Sequence, residues 1–168
     1  MGRALALSSI LLLAACGRAR PLLPAPDAGL PELMQAPRSS LRALSELRGQ
    51  VVVIDFWATW CRPCVETIPH MNKMADKFAG KPVVFLSVTA DEREKVERFL
   101  RDHPMKPWIG LDADGVMSRA FGVREIPQTF VIDPYGRITL RVSPSWLYAS
   151  DIEKALAAEA PKPEPKKS

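Results

Sequence analysis

The sequence predicts an α/β fold in which a central mixed β-sheet carries helices on both faces. Two apolar, β-branched runs, Val51–Phe56 and residues 83–88, are typical of buried strands, and helical spacing follows each of them. This βαβ arrangement implies parallel strands. Residues 129–133 and 137–142 flank Pro134-Tyr135-Gly136 and predict an antiparallel hairpin. With 168 residues and 47% hydrophobic content, the chain is long enough for one well-packed domain.

The N-terminal stretch predicts export. Residues 1–15 combine one arginine with an apolar stretch that is too short to span a membrane comfortably, as in a signal peptide. Leu13-Ala14-Ala15-Cys16 resembles the bacterial lipobox, which implies cleavage before Cys16 and lipidation of that cysteine. An ordinary secretory signal and an uncleaved anchor are the alternatives. Lipidation accounts for the third cysteine of the chain, which a CxxC pair leaves over.

Composition divides the rest of the chain into three parts. Residues 16–37 are rich in proline without a sustained period, which predicts an extended tether ahead of a domain over residues 38–160. The lysine-rich residues 161–168 predict a disordered tail. The net charge of +4 comes from the flanking segments, since residues 51–161 carry a net charge of −1. We therefore expect no nucleic-acid binding and at most weak attraction to anionic headgroups.

The remaining elements follow from spacing and caps. A helix with a kink at Pro69 is predicted by apolar residues at intervals of three and four: Val65, Ile68, Met71, Met74, Ala75 and Phe78. Capping boxes at Asp91 with Glu94, and at Ser150 with Glu153, predict the starts of two more helices. Trp108–Leu111 predicts a short strand, and residues 116–121 predict a short helix.

The chemistry of the chain centres on Cys61 and Cys64. The spacing allows a small disulfide, and the first cysteine falls at a helix N-terminus, where free N–H groups favour a thiolate. A free cysteine titrates near about 8.5, whereas such CxxC cysteines titrate between about 3.5 and 7.5. Cys61 is therefore the expected attacking thiol and Cys64 the resolving one. A structural disulfide and a zinc site are the alternatives, although no second CxxC completes a four-cysteine set.

Two residues lie between the cysteines. Arg62 is expected to favour the thiolate and thereby make the disulfide more oxidising. The alternative, that it simply points into solvent, is compatible with this effect. Pro63 fixes φ near the helix start, where its missing N–H costs nothing.

Four features of the sequence occur in the same order as in one known family: LSELRGQVVVIDF, FWATWCRPC, Pro69 and REIPQTFVIDPYGRI. Together they resemble the TlpA/ResA/DsbE-like branch of the thioredoxin superfamily over roughly residues 39–157. The resemblance implies a thioredoxin-like fold and a membrane-tethered, extracytoplasmic thiol-disulfide oxidoreductase with a redox-active Cys61–Cys64 disulfide. It also implies a short strand and turn over residues 39–49.

The resemblance assigns substrate contacts as well. Ile126-Pro127 matches the cis-proline loop that lies across from the CxxC in this superfamily, and Ile126 is expected to offer backbone hydrogen bonds to an extended substrate. An ordinary trans turn is the alternative. Trp57 and Trp60 are expected to form the aromatic surround of the site, unless they merely pack.

Departures from the family pattern concern acid and base groups. ResA-like members carry glutamate where this chain has Thr67, and Asn or a similar residue where it has Asp55; Glu66 is one position away. Asp55 instead matches the buried aspartate of thioredoxin. Burial in an apolar strand predicts a raised pKa for Asp55, which suits it to accept the proton of Cys64. A solvent-facing position at a strand end is the alternative.

Metal binding is not expected. His70 and His103 lie on different predicted helices, and Asp112, Asp114 and Gly115 fit a turn better than a calcium loop because further ligands are missing. No cofactor is expected either. A copper chaperone that uses Cys61 and Cys64 is nevertheless an alternative function from another class, and a pure interaction module is a third.

The sequence thus predicts a lipid-anchored oxidoreductase that faces the periplasm or cell exterior and reduces disulfides in exported proteins, with apocytochrome c as the leading substrate. A dithiol oxidant of the same fold is the alternative. The partners are cysteine-containing proteins, an upstream membrane thiol-disulfide electron donor, and the membrane through the lipid at Cys16.

Overall fold

The structure, a computed structural model, describes residues 22–37 and 41–161. Within these ranges seven strands form one mixed sheet in the order β1-β7-β6-β3-β4-β5-β2. The β3–β4 and β4–β5 pairs are parallel and the other pairs are antiparallel. The strands are β1 (Leu23–Pro24), β2 (Glu32–Met34), β3 (Val51–Phe56), β4 (Val83–Thr89), β5 (Trp108–Leu111), β6 (Gln128–Ile132) and β7 (Arg137–Val142); the α-helices are α1 (Arg62–Lys77), α2 (Arg93–Asp102), α3 (Val116–Ala120) and α4 (Ala149–Leu156).

The central strand β3 is buried along its whole length, as its apolar sequence predicts. On one face, Val51 and Val53 pack against Met71 of α1 and Ile152 of α4. On the other face, the core includes the 3-10 helix Leu44–Leu47 and the short helix α3. The sheet is therefore covered by helices on both sides, and the predicted α/β fold is confirmed.

The two edges of the sheet differ from the prediction. Residues 22–37, which we call the N-terminal strap, fall within the predicted tether, yet β1 pairs with β7 at one edge and β2 pairs with β5 at the other. Between these strands the strap crosses the face that contains Leu44, burying Ala25 and Ala28 there. An extended spacer is therefore the wrong description of residues 22–37, because their neighbours in space, and not their own composition, make them strands.

A close contact between Pro31 of the strap and Gly110 holds the strap against β5. Gly110 in β5 lies opposite Leu33. A Cβ atom at Gly110 would lie 2.7 Å from Cγ of Pro31, so the strap fits only because this position has no side chain.

The predicted capping boxes are also wrong in detail. Glu92, and not Asp91, is the N-cap of α2. Asp91 instead accepts a hydrogen bond from the Thr59 N–H at 2.7 Å. At α4 the N-cap is Tyr148, whose N–H donates to Asp151 at 3.0 Å. In residues 41–49 the predicted short strand is reduced to an antiparallel bridge between Ala43 and Gly29, and the 3-10 helix follows it.

No helix in the described part of the chain is long and apolar enough to cross a membrane. The predicted signal peptide, Cys16 and most of the tail lie outside the described residues.

Candidate active site

The two cysteines lie where β3 passes into α1. Cys61 is the N-cap of the helix, with extended backbone angles, and Pro63 occupies the first turn. The Cys64 N–H points back to Sγ of Cys61 at 3.3 Å. Cys61 and Cys64 are joined by a disulfide, as the resemblance implies. Sγ of Cys61 therefore lies at the N-terminus of a helix, whose dipole stabilises negative charge on sulfur.

The surroundings of the disulfide are asymmetric. Trp60, directly before it, is 70% exposed, whereas Cys61 and Cys64 are 5% and 2% exposed. Arg62 points into solvent, where its Nε lies 3.0 Å from Oε1 of Glu66. An exposed and paired guanidinium is strongly screened, so Arg62 has little influence on the thiolate.

The Ile126–Pro127 peptide bond is cis, as the resemblance predicts. The next residue, Gln128, pairs with Phe56 at the end of β3, so the proline loop and the start of the CxxC segment lie at the same end of these two central strands. A groove of about 210 Å³ at this end is lined by both Trp60 and Ile126. The structure thus brings the predicted aromatic residue and the predicted substrate loop together.

Trp57 has a packing role besides its place in that groove. It is buried, and its ring lies 5.3 Å from the ring of Phe99 in α2.

Asp55 is a buried acid on the face of β3 that α1 covers, since side chains alternate along the strand and Val53 contacts the α1 core. It is 4% exposed. Burial raises the pKa of Asp55 to about 7, against a lowering effect from the Thr129 hydroxyl, which donates to Oδ1 at 2.8 Å. A carboxyl with this pKa exchanges protons near neutral pH, and the alternative of a solvent-facing residue is wrong.

The family model for the AhpC/TSA family matches residues 23–141. The chain belongs to the AhpC/TSA family. The thiol-disulfide oxidoreductase ResA of Bacillus thuringiensis subsp. konkukian (strain 97-27) is 32% identical over 96 residues, which are 56% of this chain and 56% of the relative. The chain thus spans just over half the length of that curated relative.

Solved structures of thiol-disulfide oxidoreductases and thioredoxin-like proteins are also similar to this AhpC/TSA family member. A candidate thiol:disulfide interchange protein DsbE from Chlorobium tepidum is 31% identical, with a TM-score of 0.64 over 79% of this chain and 90% of that one. A thioredoxin-like superfamily protein with 22% identity has a TM-score of 0.70 over 83% of this chain and 99% of that one, a likeness in fold alone. The resemblance indicated by the sequence motifs is confirmed.

Asp112 and Gly115, which the sequence assigns to a turn and not to a calcium loop, have a structural role in this family member. Asp112 accepts hydrogen bonds from the Met117 and Ser118 N–H groups at 3.0 and 2.9 Å and from the Ser118 hydroxyl at 2.7 Å. It therefore fixes the start of α3, and Gly115 supplies the left-handed turn before it.

The histidines are likewise engaged elsewhere. Nε2 of His70 lies 2.9 Å from the Leu147 carbonyl oxygen, and the His103 ring packs against Phe99. Among residues 22–37 and 41–161, no group of three or more His, Cys, Asp or Glu side chains is placed to hold a metal ion.

Three hydroxyl residues of the site were not assigned a role from the sequence. Thr67 donates to the Cys64 carbonyl oxygen at 2.7 Å and so braces the first turn of α1. Thr129 and Ser87 lie opposite Asp55 on the two neighbouring strands. Their signal in the sequence is a polar residue inside an otherwise apolar strand, the same signal that identifies Asp55.

Proposed function

We propose that this protein is an extracytoplasmic thiol-disulfide oxidoreductase of the ResA/DsbE type that reduces disulfides in exported proteins. The observation that carries the proposal is the Cys61–Cys64 disulfide at the N-terminus of α1. Support comes from the groove that Trp60 and Ile126 line beside it, since a partner chain needs such a surface to reach the sulfurs.

The reaction begins from the dithiol form. The Cys61 thiolate attacks one sulfur of the partner's disulfide, which forms a mixed disulfide and releases the partner's other sulfur as a thiolate. Asp55 takes the proton of the Cys64 thiol, and the resulting thiolate attacks Sγ of Cys61. The Cys61–Cys64 disulfide closes, and the partner leaves with both sulfurs reduced. Two electrons pass to the partner, and an upstream membrane thiol-disulfide donor restores the dithiol.

The same geometry supports the order of attack. Cys61 is the N-cap residue, and its sulfur accepts from the Cys64 N–H at the helix N-terminus, a position that favours a thiolate. Cys64 lies within the first turn and is the more buried of the two.

Trapping of partners tests the activity and the roles together. In Cys64→Ser the mixed disulfide on Cys61 has no resolving thiol, so covalent complexes with exported proteins accumulate. Mass spectrometry of these complexes identifies the substrates and tests the expectation of apocytochrome c. Cys61→Ser is the matched control and should trap none. Trapping by Cys61→Ser alone would reverse the two roles, and trapping by neither would contradict the proposal.

The direction of electron flow separates the proposal from a dithiol oxidant. The sequence argument for an oxidant was the charge of Arg62, and that charge is paired with Glu66 in solvent. We therefore favour the reductant. A measured reduction potential near that of DsbA, about −120 mV, would contradict this choice, whereas a value near thioredoxin, about −270 mV, would agree with it.

We further propose that a lipid on Cys16 anchors the protein. Each buried CH₂ group contributes about 0.8 kcal/mol, so two or more acyl chains anchor a protein stably. Wild-type protein should fractionate with membranes, and Cys16→Ala should be soluble or unprocessed. Membrane association of Cys16→Ala equal to that of the wild type would contradict the lipid anchor while leaving the redox proposal intact.

A further inference from the structure

Three polar side chains form a row across the middle of the sheet. Asp55 in β3 pairs in register with Ser87 in parallel β4 and with Thr129 in antiparallel β6. Residues opposite each other on neighbouring strands project from the same face, and the strands are about 4.8 Å apart. All three residues are buried. The row therefore places one hydroxyl group on each side of the Asp55 carboxyl group.

The two hydroxyl groups differ in their hydrogen bonds. The Thr129 hydroxyl donates to Oδ1 of Asp55 at 2.8 Å. Ser87 is 0% exposed, and within the described residues its Oγ has no hydrogen-bond partner. Buried hydroxyl groups without a partner are rare because each is destabilising. Ser87 is therefore unexplained by the static hydrogen-bond network.

We propose that Ser87 is a positioning residue for Asp55, whose hydroxyl donates a hydrogen bond to the Asp55 carboxylate while that group is ionised. Rotation about the Cα–Cβ bond of Ser87 moves Oγ between staggered positions, and the strand spacing puts the neighbouring carboxylate within reach of it. The role in catalysis rests on the proposed function, whereas the hydrogen bond itself does not.

The hydrogen bond between Ser87 and Asp55 changes when Asp55 takes up a proton in the resolving step. Before the step, the Asp55 carboxylate accepts from both Thr129 and Ser87, which holds it in place and keeps it ionised. It then takes the proton of the Cys64 thiol and becomes a neutral carboxyl group. The neutral carboxyl group no longer needs a second hydrogen-bond donor, and the Ser87 hydroxyl stops donating to it. The disulfide-bonded structure, with Ser87 unpaired, corresponds to this final state.

In the described part of the chain, Cys64 is the one titratable residue that α1 buries against the sheet, and His70 is bound to the Leu147 carbonyl oxygen. The residues that α2 and α4 bury are apolar: Val96, Ile152 and Ala155. The hydroxyl groups of the row are therefore the groups to vary.

Titration of Asp55 tests the hydrogen bond in the oxidised full-length protein, with ¹³C NMR of the side-chain carboxyl group as the readout. Burial and the Thr129 hydrogen bond alone place the pKa of Asp55 at about 7, so wild-type Asp55, with Ser87 as a further donor, should titrate below that value. In Ser87→Ala the ionised form loses a donor, so the midpoint should rise by about one unit, a tenfold change in proton affinity. Thr139→Val is the matched control, because the Thr139 hydroxyl donates to the Val131 carbonyl oxygen in β6. It should leave the midpoint unchanged.

A midpoint that stays constant in Ser87→Ala would overturn the hydrogen bond. A lower midpoint would overturn it too, since it would mean that Ser87 accepts from the neutral carboxyl. If Ser87→Ala does not fold, Ser87→Cys keeps a weaker donor of similar volume and should raise the midpoint by a smaller amount. No rise in Ser87→Cys would then count against the proposal.

Kinetics test the positioning role separately. When the dithiol protein reacts with 5,5′-dithiobis(2-nitrobenzoate), the second thiolate is released as Cys64 resolves the Cys61 mixed disulfide. The pH midpoint of this second release should move upward in Ser87→Ala by the same unit, and Ser87→Ala added to Asp55→Asn should have no effect. A shifted titration with an unshifted release would overturn the positioning role. Absence of a second release in the wild type would contradict the proposed function, while the titration would still decide the hydrogen bond.

Discussion

The effect of Asp55 on stability depends on pH. In the folded protein burial raises the pKa of Asp55 to about 7, while the ordinary value is 3.8. The neutral carboxyl therefore contributes stability that is complete below about pH 4 and is lost as the pH rises through about 7. A shift of about three units corresponds to about 4 kcal/mol. Asp55→Asn, which stays neutral, should raise the free energy of unfolding at pH 8 by up to about 4 kcal/mol and leave it nearly unchanged at pH 4, as measured by urea denaturation.

Asp133 provides a control of opposite sign. It is also buried, but its carboxylate accepts from the Tyr135 and Arg137 N–H groups and from Nε of Arg137 at 2.6 Å. Hydrogen bonds to charged groups contribute about 1.5–3 kcal/mol each, so Asp133→Asn should lower stability at pH 8. Equal responses of the two variants would contradict the view that the charge of Asp55 is less well compensated than that of Asp133, which has a guanidinium partner.

Among the elements, β2 depends on a missing side chain in β5. Gly110→Ala would place a Cβ atom against Pro31 and displace the strap, at a cost of about 1–3 kcal/mol. Gly29→Ala is the matched control within the strap, since its nearest contact would be an ordinary 3.7 Å to the Arg42 carbonyl oxygen. Urea midpoints and amide hydrogen exchange over Glu32–Met34 measure both. A loss in Gly29→Ala as large as in Gly110→Ala would contradict the role of this approach.

Elements with strong local patterns were predictable, and those defined by a partner were not. β3 and α1 follow from apolar runs and helical spacing that each segment carries by itself. The strap has strands of two and three residues among prolines, so only pairing with β5 and β7 identifies it. At the site the CxxC was visible, whereas the pairing of Asp55 with Ser87 joins distant positions and needs the sheet register.

At the scale of the whole molecule, the residues of the candidate site lie together at one end of the central strands. The end of β3 carries the CxxC segment, and the proline loop that precedes β6 meets it there because β3 and β6 run antiparallel. Cys61, the cis-proline loop and the buried Asp55 therefore come from two neighbouring central strands and the helix that follows one of them. The outer strands of the sheet stabilise the fold through their pairing and do not alter this arrangement.

The strap also sets an order of assembly. Leu23 pairs with Ile138, and Glu32 pairs with Leu111, so residues made early in synthesis have partners that are made much later. Closing such long loops delays a contact until the intervening chain is compact. We therefore expect the strap to dock last, so that β5 and β7 are unpaired edge strands until β2 and β1 pair with them. Until then, these two edges are the surfaces through which a partly folded molecule would pair with another.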